Sequence, residues 1–123
     1  EDEETYRKFT TKVIEKYLMC NVSSCSNPKE AFEYLNHTIP DLIIMDLQMP
    51  FMDGLTAMKY IRASDRTTNV PVIICSALGF ESIIKTMNQY RVSDFIVKPI
   101  EPQTLIKKIL NSLNEPSKSI GSS

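Results

Sequence analysis

The stretch Asp41-Leu-Ile-Ile-Met-Asp46-Leu-Gln-Met-Pro50-Phe-Met-Asp53-Gly54 runs a short apolar segment into a carboxylate and then into a loop. Leu42, Ile43, Ile44 and Met45 are consecutive apolar residues, the pattern of a strand covered on both faces of a parallel sheet. Asp46 therefore falls where that strand emerges at its carboxyl end, the edge at which open α/β sheets bind their ligands. Pro50 and Gly54 mark the segment after Asp46 as an ordered loop rather than a helix. An Asp at a strand tip is ordinarily a turn former or a helix cap, so its chemistry has to be judged from what else reaches the same edge.

Upstream, residues 3–19 read as an amphipathic helix. Tyr6, Phe9, Val13 and Tyr17 form one stripe, Ile14 and Leu18 widen it, and Glu3 and Glu4 suit its N-terminal dipole. Residues 20–25 have the weak pattern of a short strand. Asn27-Pro28 opens a helix to about Asn36, with Ala31, Phe32 and Leu35 turned inward. Downstream, residues 55–63 form a helix with Leu55, Met58 and Ile61 on its apolar side and Lys59 and Arg62 facing water. A polar linker over 64–69 leads to a buried strand over 70–75. A helix over 80–90, a strand over 94–97 and a helix over 102–114 complete the order, the last turning Leu105, Ile106, Ile109, Leu110 and Leu113 inward. Strands and helices alternating at this spacing predict a doubly wound α/β fold, a parallel sheet covered on both faces with right-handed crossovers.

A chain of 123 residues is one domain; it is expected to run from residue 1 to 115, with 116–123 as a polar tail or linker. Net charge is −1, from 14 basic and 15 acidic residues, which argues against a nucleic-acid or membrane partner. No apolar stretch approaches the roughly 18 residues of a membrane span, and no secretory segment opens the chain. Cys20, Cys25 and Cys75 are odd in number and lack metal-ligand spacing, so buried free thiols in a reducing, cytoplasmic setting are expected. His37 has no companions at ligand spacing and reads as a solvated residue near a helix end.

Three further features fall at element ends. Glu1-Asp2 precedes the first helix, Ser76-Ala77 follows the strand 70–75, and Lys98-Pro99 follows the strand 94–97. In a parallel sheet all carboxyl ends point one way, so Glu1, Asp2, Asp46, Ser76 and Lys98 would meet on one edge. Three converging carboxylates repel unless a cation relieves them, and an oxygen-only donor set without His or Cys favours Mg²⁺, with Mn²⁺ as its substitute. A lysine and a hydroxyl beside a metal-bound carboxylate are the parts that phosphoryl transfer to that carboxylate requires. Taken singly, each has a plainer reading: helix-start acids, a turn hydroxyl, a solvated lysine before proline.

The ordered set resembles the receiver domain of two-component response regulators from Glu1 to about Asn114. The motifs that carry the resemblance are Glu1-Asp2, Asp46 followed by Met49-Pro50 and Met52-Asp53-Gly54, Ser76-Ala77 and Lys98-Pro99. The resemblance implies a flavodoxin-like receiver fold with Asp46 as phosphoacceptor. It implies Mg²⁺ held by Asp2, Asp46, Glu1 (through water) and the backbone carbonyl of Gln48. Ser76 and Lys98 would contact the phosphoryl oxygens beside Ala77, and Phe95 would be the aromatic switch whose ring turns inward as Ser76 moves. The Lys98–Pro99 bond is expected cis, and Gln48 and Leu78 flank the path of the hydrolytic water.

The expected function is a signalling switch. Asp46 accepts a phosphoryl group from a histidine kinase or phosphotransfer protein, and the 80–114 face changes in response, with a homodimer through that face or by strand exchange as one outcome. Only the domain's own phosphorylation and dephosphorylation would be assisted, so it is not read as an enzyme in the turnover sense. Two other classes compete: a degenerate receiver acting as a phosphorylation-independent docking module, and a phosphatase with an Asp nucleophile. The latter wants a second carboxylate where Gln48 stands. One departure from the family is plain. Receivers begin with a central apolar strand ending at the acidic pair, whereas this sequence begins at the pair. Apolar residues are therefore expected to precede Glu1 and place a strand between 20–25 and 41–46. Otherwise those two segments pair directly or another chain fills the gap.

Overall fold

Runs of β-branched and apolar residues build the sheet, and the positions between them sort its two faces. The computed structural model describes residues 3–25, 27–47, 54–77 and 80–114. In chain order the elements are α1 (Glu3–Leu18), α2 (Pro28–Leu35), β1 (Ile43–Asp46), α3 (Gly54–Ala63), β2 (Val72–Ser76), α4 (Phe80–Gln89), β3 (Asp94–Val97) and α5 (Pro102–Leu113). Among the described residues the sheet has the order β1-β2-β3, all parallel, with Asp46 opposite Cys75 and Ser76 opposite Val97.

β2 is the central strand and is buried at every position. Its alternation decides which helices lie on which side. Val72 and Ile74 join Met45, Met58, Ile61 and Ile83 in a cluster that also gathers Phe32 and Leu35, so α2, α3 and α4 cover this face. Ile73 and Cys75 join Ile14, Ile96, Leu105 and Ile109 on the other, so α1 and α5 cover that one. This is the doubly wound arrangement that the alternating elements predict.

The helix starts follow local chemistry. Asn27 is extended, and its side-chain oxygen accepts the Glu30 amide at 2.9 Å, while Pro28 occupies the first helical turn, where no amide is needed. α5 likewise begins on Pro102. Gly54 at the start of α3 has a steric reason: a Cβ there would lie 2.7 Å from the Leu47 Cα. The close approach goes with a hydrogen bond from the Gly54 amide to the Leu47 carbonyl, at 3.2 Å. The glycine of the Asp46–Gly54 stretch is thus required where the chain returns to the end of β1.

Several expectations are corrected. Residues 20–25 form no strand. A strand needs a neighbouring ladder, and among the described residues β1 pairs with β2 alone, so 20–25 neither pairs with β1 nor flanks another strand there; Val22 packs against the α1/α5 cluster without ladder pairing. In α1 the inward residues are Ile14, Val13 and Leu18, while Phe9 and Tyr17 are exposed. In α5 Leu110 and Leu113 are exposed and Ser112 is buried instead. Cys75 is buried, but Cys25 is half-buried and Cys20 exposed; all three are free thiols. Arg62, expected in water, is instead turned onto main-chain carbonyls.

Candidate functional site

The parallel register brings the carboxyl ends of the three strands among the described residues to one edge, because β1 ends at Asp46, β2 at Ser76 and β3 one residue before Lys98. Two main-chain bonds extend the ladders there: the Leu47 amide donates to the Cys75 carbonyl and the Lys98 amide to the Ser76 carbonyl, each at 2.9 Å. Lys98 thereby follows β2 closely enough for its side chain to cross to β1. Its Nζ lies 2.5 Å from Asp46 Oδ2, with the Lys98 side chain 12% and the Asp46 side chain 24% exposed. Ser76, at the end of β2, is fully buried, and Ala77 after it is exposed. The Lys98–Pro99 bond is cis, as expected.

Electrostatics at this edge are registered by Cys75. Its thiol pKa is pushed up from 9.0 to about 12, by burial first and by the Asp46 carboxylate second, with Lys98 opposing. Cys75 is therefore a neutral filler under the site, not a nucleophile.

Phe95 lies on β3, half-buried against the α2/α3/α4 cluster. The Phe80 ring meets it edge-on, with centroids 5.7 Å apart and planes at 74°. The Lys108 Nζ sits 4.7 Å from the centre of the Phe95 ring and donates to the Phe95 carbonyl at 2.7 Å. Neither Phe80 nor Lys108 was among the expected site residues. Lys108 falls between Leu105 and Ser112 on the buried stripe of α5, a placement legible as a half-buried cation. Phe80, Ile84 and Met87, spaced four and three apart on α4, are all exposed.

Arg62 is the other residue the sequence reading misplaced. Its Nη1 donates to the carbonyls of Thr67, Thr68 and Val70 at 3.1, 3.1 and 2.9 Å. Nε and Nη2 reach the Arg91 carbonyl at 3.3 and 2.9 Å. Burial, and secondarily Arg91, lower its pKa from 12.5 to about 10, so it remains charged at neutral pH. These partners precede β2 and β3, which puts Arg62 at the sheet edge opposite Asp46.

Glu1, Asp2, Gln48 and Leu78 lie outside the described residues, as do 49–53. The described residues contain no group of three His, Cys, Asp or Glu arranged around a metal position. α1 begins at Glu3, directly after the acidic pair. The donor chemistry of Glu1, Asp2, Asp46 and a backbone carbonyl is oxygen throughout, which fits a hard divalent cation and not zinc.

The family profile of the response regulator receiver domain matches residues 1–110. The chain belongs to that family. The receiver is 38% identical to the chemotaxis protein CheY of Bacillus subtilis over 93 residues, 76% of each chain. Its fold matches the signal receiver domain of a signal transduction histidine kinase from Syntrophus aciditrophicus with a TM-score of 0.82, 27% identity and coverage of 94% of this chain and 87% of that one. It also matches the receiver domain of sensor histidine kinase PA1611 from Pseudomonas aeruginosa, TM-score 0.82 at 22% identity, covering 94% and 93%; that protein was solved with a magnesium ion coordinated in its active site cleft. The receiver is thus a flavodoxin-like, phosphoacceptor signalling domain of two-component systems. Among the described residues no helix is long and apolar enough to cross a membrane.

Proposed function

We propose that Asp46 is the phosphoacceptor of this receiver and that Lys98, Ser76 and Phe95 convert its phosphorylation into a change of the 80–114 face. The observation that carries this reading is the Lys98 ammonium seated on the Asp46 carboxylate, beside buried Ser76, at the carboxyl edge of a parallel sheet. A carboxylate oxygen of Asp46 attacks the phosphorus of a phosphohistidine on a histidine kinase or phosphotransfer protein. The P–N bond breaks, and the imidazole leaves with its electron pair. Lys98, already within reach, follows a phosphoryl oxygen, and the Ser76 hydroxyl turns to another beside Ala77. Glu1 (through water), Asp2, Asp46 and the Gln48 carbonyl would hold Mg²⁺, whose charge would let an anionic donor approach an anionic acceptor.

As Ser76 is drawn toward the phosphoryl group, room is made for the Phe95 ring, which leaves Phe80 and changes the surface of α4, β3 and α5. That surface already carries exposed Phe80, Ile84, Met87, Leu110 and Leu113, apolar material for a phosphorylation-dependent partner or a second copy. The acyl phosphate selects between these two arrangements and does not build a new one. The unit acts without substrate turnover in the cytoplasm, spanning residues 1–115, with 116–123 as a polar tail or linker.

Incubation with acetyl phosphate and Mg²⁺ adds one phosphoryl group by intact mass, and Asp46→Asn abolishes it. Undiminished labelling of Asp46→Asn would overturn the assignment.

A further inference from the structure

Phe95 is held at its main chain and at its ring, and Lys108 contributes to both. Asp94 Oδ1 accepts the Phe95 amide at 2.8 Å and the Lys108 ammonium at 2.9 Å, and the same ammonium donates to the Phe95 carbonyl at 2.7 Å. Amide and carbonyl are thus both fixed by the Asp94–Lys108 pair, so rotation of the side chain is the freedom left to this residue. The ring in turn contacts the Phe80 ring at a near-perpendicular angle and lies under the Lys108 ammonium.

We propose that Lys108 is a positioning residue that holds the Phe95 ring in its resting place and so sets the threshold of the switch. This rests on the reading of Phe95 as the ring that turns. The two acceptors that anchor the ammonium, the Asp94 carboxylate and the Phe95 carbonyl, stay in place when the ring rotates. Lys108 therefore stays as well, and the ring alone loses the cation at its face. The resting rotamer is favoured by the value of that one contact, about two- to fivefold in population for a part-exposed cation–π pair. A receiver with this contact needs a correspondingly larger push from Ser76 and Lys98 before its α4–β3–α5 surface changes. α5 carries the cation and the exposed Leu110 and Leu113, so a partner seated on α5 would feel the ring through Lys108.

The test uses the full chain labelled with 4-fluorophenylalanine, with the Phe95 fluorine signal assigned by its loss in Phe95→Leu. Spectra are recorded without phosphoryl donor and without Mg²⁺, so the result does not depend on whether Asp46 accepts a phosphoryl group. Lys108→Met, which keeps length and removes charge, shifts the resting-to-turned ratio about two- to fivefold toward the turned form. Lys108→Arg retains the wild-type ratio. Asp94→Asn, which leaves an oxygen for both donors, also retains it. Circular dichroism establishes folding, and Lys108→Gln replaces Lys108→Met if that variant does not fold. A wild-type ratio in the neutral variant overturns the proposal, as does an equal shift in Lys108→Arg or in Asp94→Asn.

Discussion

Lys98 Nζ and Asp46 Oδ2 stand 2.5 Å apart although 52 residues separate them and β2 lies between their strands. Neither side chain is in bulk water, and in such a setting the attraction between opposite charges is several-fold stronger than at an open surface. The same withdrawal makes either charge costly to leave alone. In the proposed mechanism an incoming phosphoryl group would answer both conditions, taking over the lysine as partner while replacing one carboxylate charge with its own.

Lys98→Ala leaves Mg²⁺ affinity unchanged or slightly stronger, since it removes a like charge from the metal's surroundings. Phosphorylation of Asp46 continues in this variant, but the 80–114 face no longer responds. A partner-binding or dimerisation assay with and without acetyl phosphate reads this directly. A full response from Lys98→Ala would remove it from the phosphate's partners.

Leu78→Glu speeds loss of the phosphoryl group. Hydrolysis needs a water aligned behind phosphorus; if position 78 flanks that approach, as the family resemblance implies, a carboxylate there would hold a water that leucine cannot. The decay of labelled protein after removal of the donor is the measurement. A rate equal to or below wild type would contradict the argument.

Arg62→Met lowers stability by about 2–3 kcal/mol, because four carbonyls lose a charged donor at once. At this chain length that is a fall in Tm of roughly 10 °C. Arg62→Lys recovers little of it, since an ammonium lacks the guanidinium's fork. Thermal denaturation of the three proteins side by side settles the order.

Gly54→Ala destabilises by about 1–3 kcal/mol and disturbs the site end of β1, because the added methyl group meets Leu47 backbone and side chain together. Denaturant unfolding gives the first quantity. A lower rate of labelling by acetyl phosphate, relative to wild type, reports the second.

The sequence made the sheet edge legible because each marker is local: an apolar run, a carboxylate at its end, a Lys-Pro after another run. Those markers alone bring Asp46 and Lys98 to one edge; their ion pair is read from the structure. Arg62 was misread because helical periodicity places it on the outer side of α3, whereas its partners lie in the turns before β2 and β3, which the sequence does not bring near it. Phe9, Tyr17, Leu110 and Leu113 were assigned to the core on hydrophobicity, yet the inner face of each helix had already been filled by Ile14, Leu105 and Ile109. The segment 20–25 failed as a strand for a third reason: strand formation depends on a neighbour, and a neighbour cannot be read from the segment itself. Lys108 was overlooked because its value comes from one aromatic ring and two oxygens on β3.

Arg62 and Lys98 occupy opposite ends of the sheet formed by β1, β2 and β3, each tying together segments that are distant in sequence. Lys98 ties the strand tips where chemistry is expected, and Arg62 ties the turns from which β2 and β3 depart. A sheet moored at both ends resists sliding of one strand along another, since any slip would have to break ties at both. On the proposed reading, a signal would then pass through what is not moored, the Phe95 ring and the Ser76 hydroxyl, and not through the strands. Its reach would be that of the side chains bridging β3 to α4 and α5, Phe80 and Lys108.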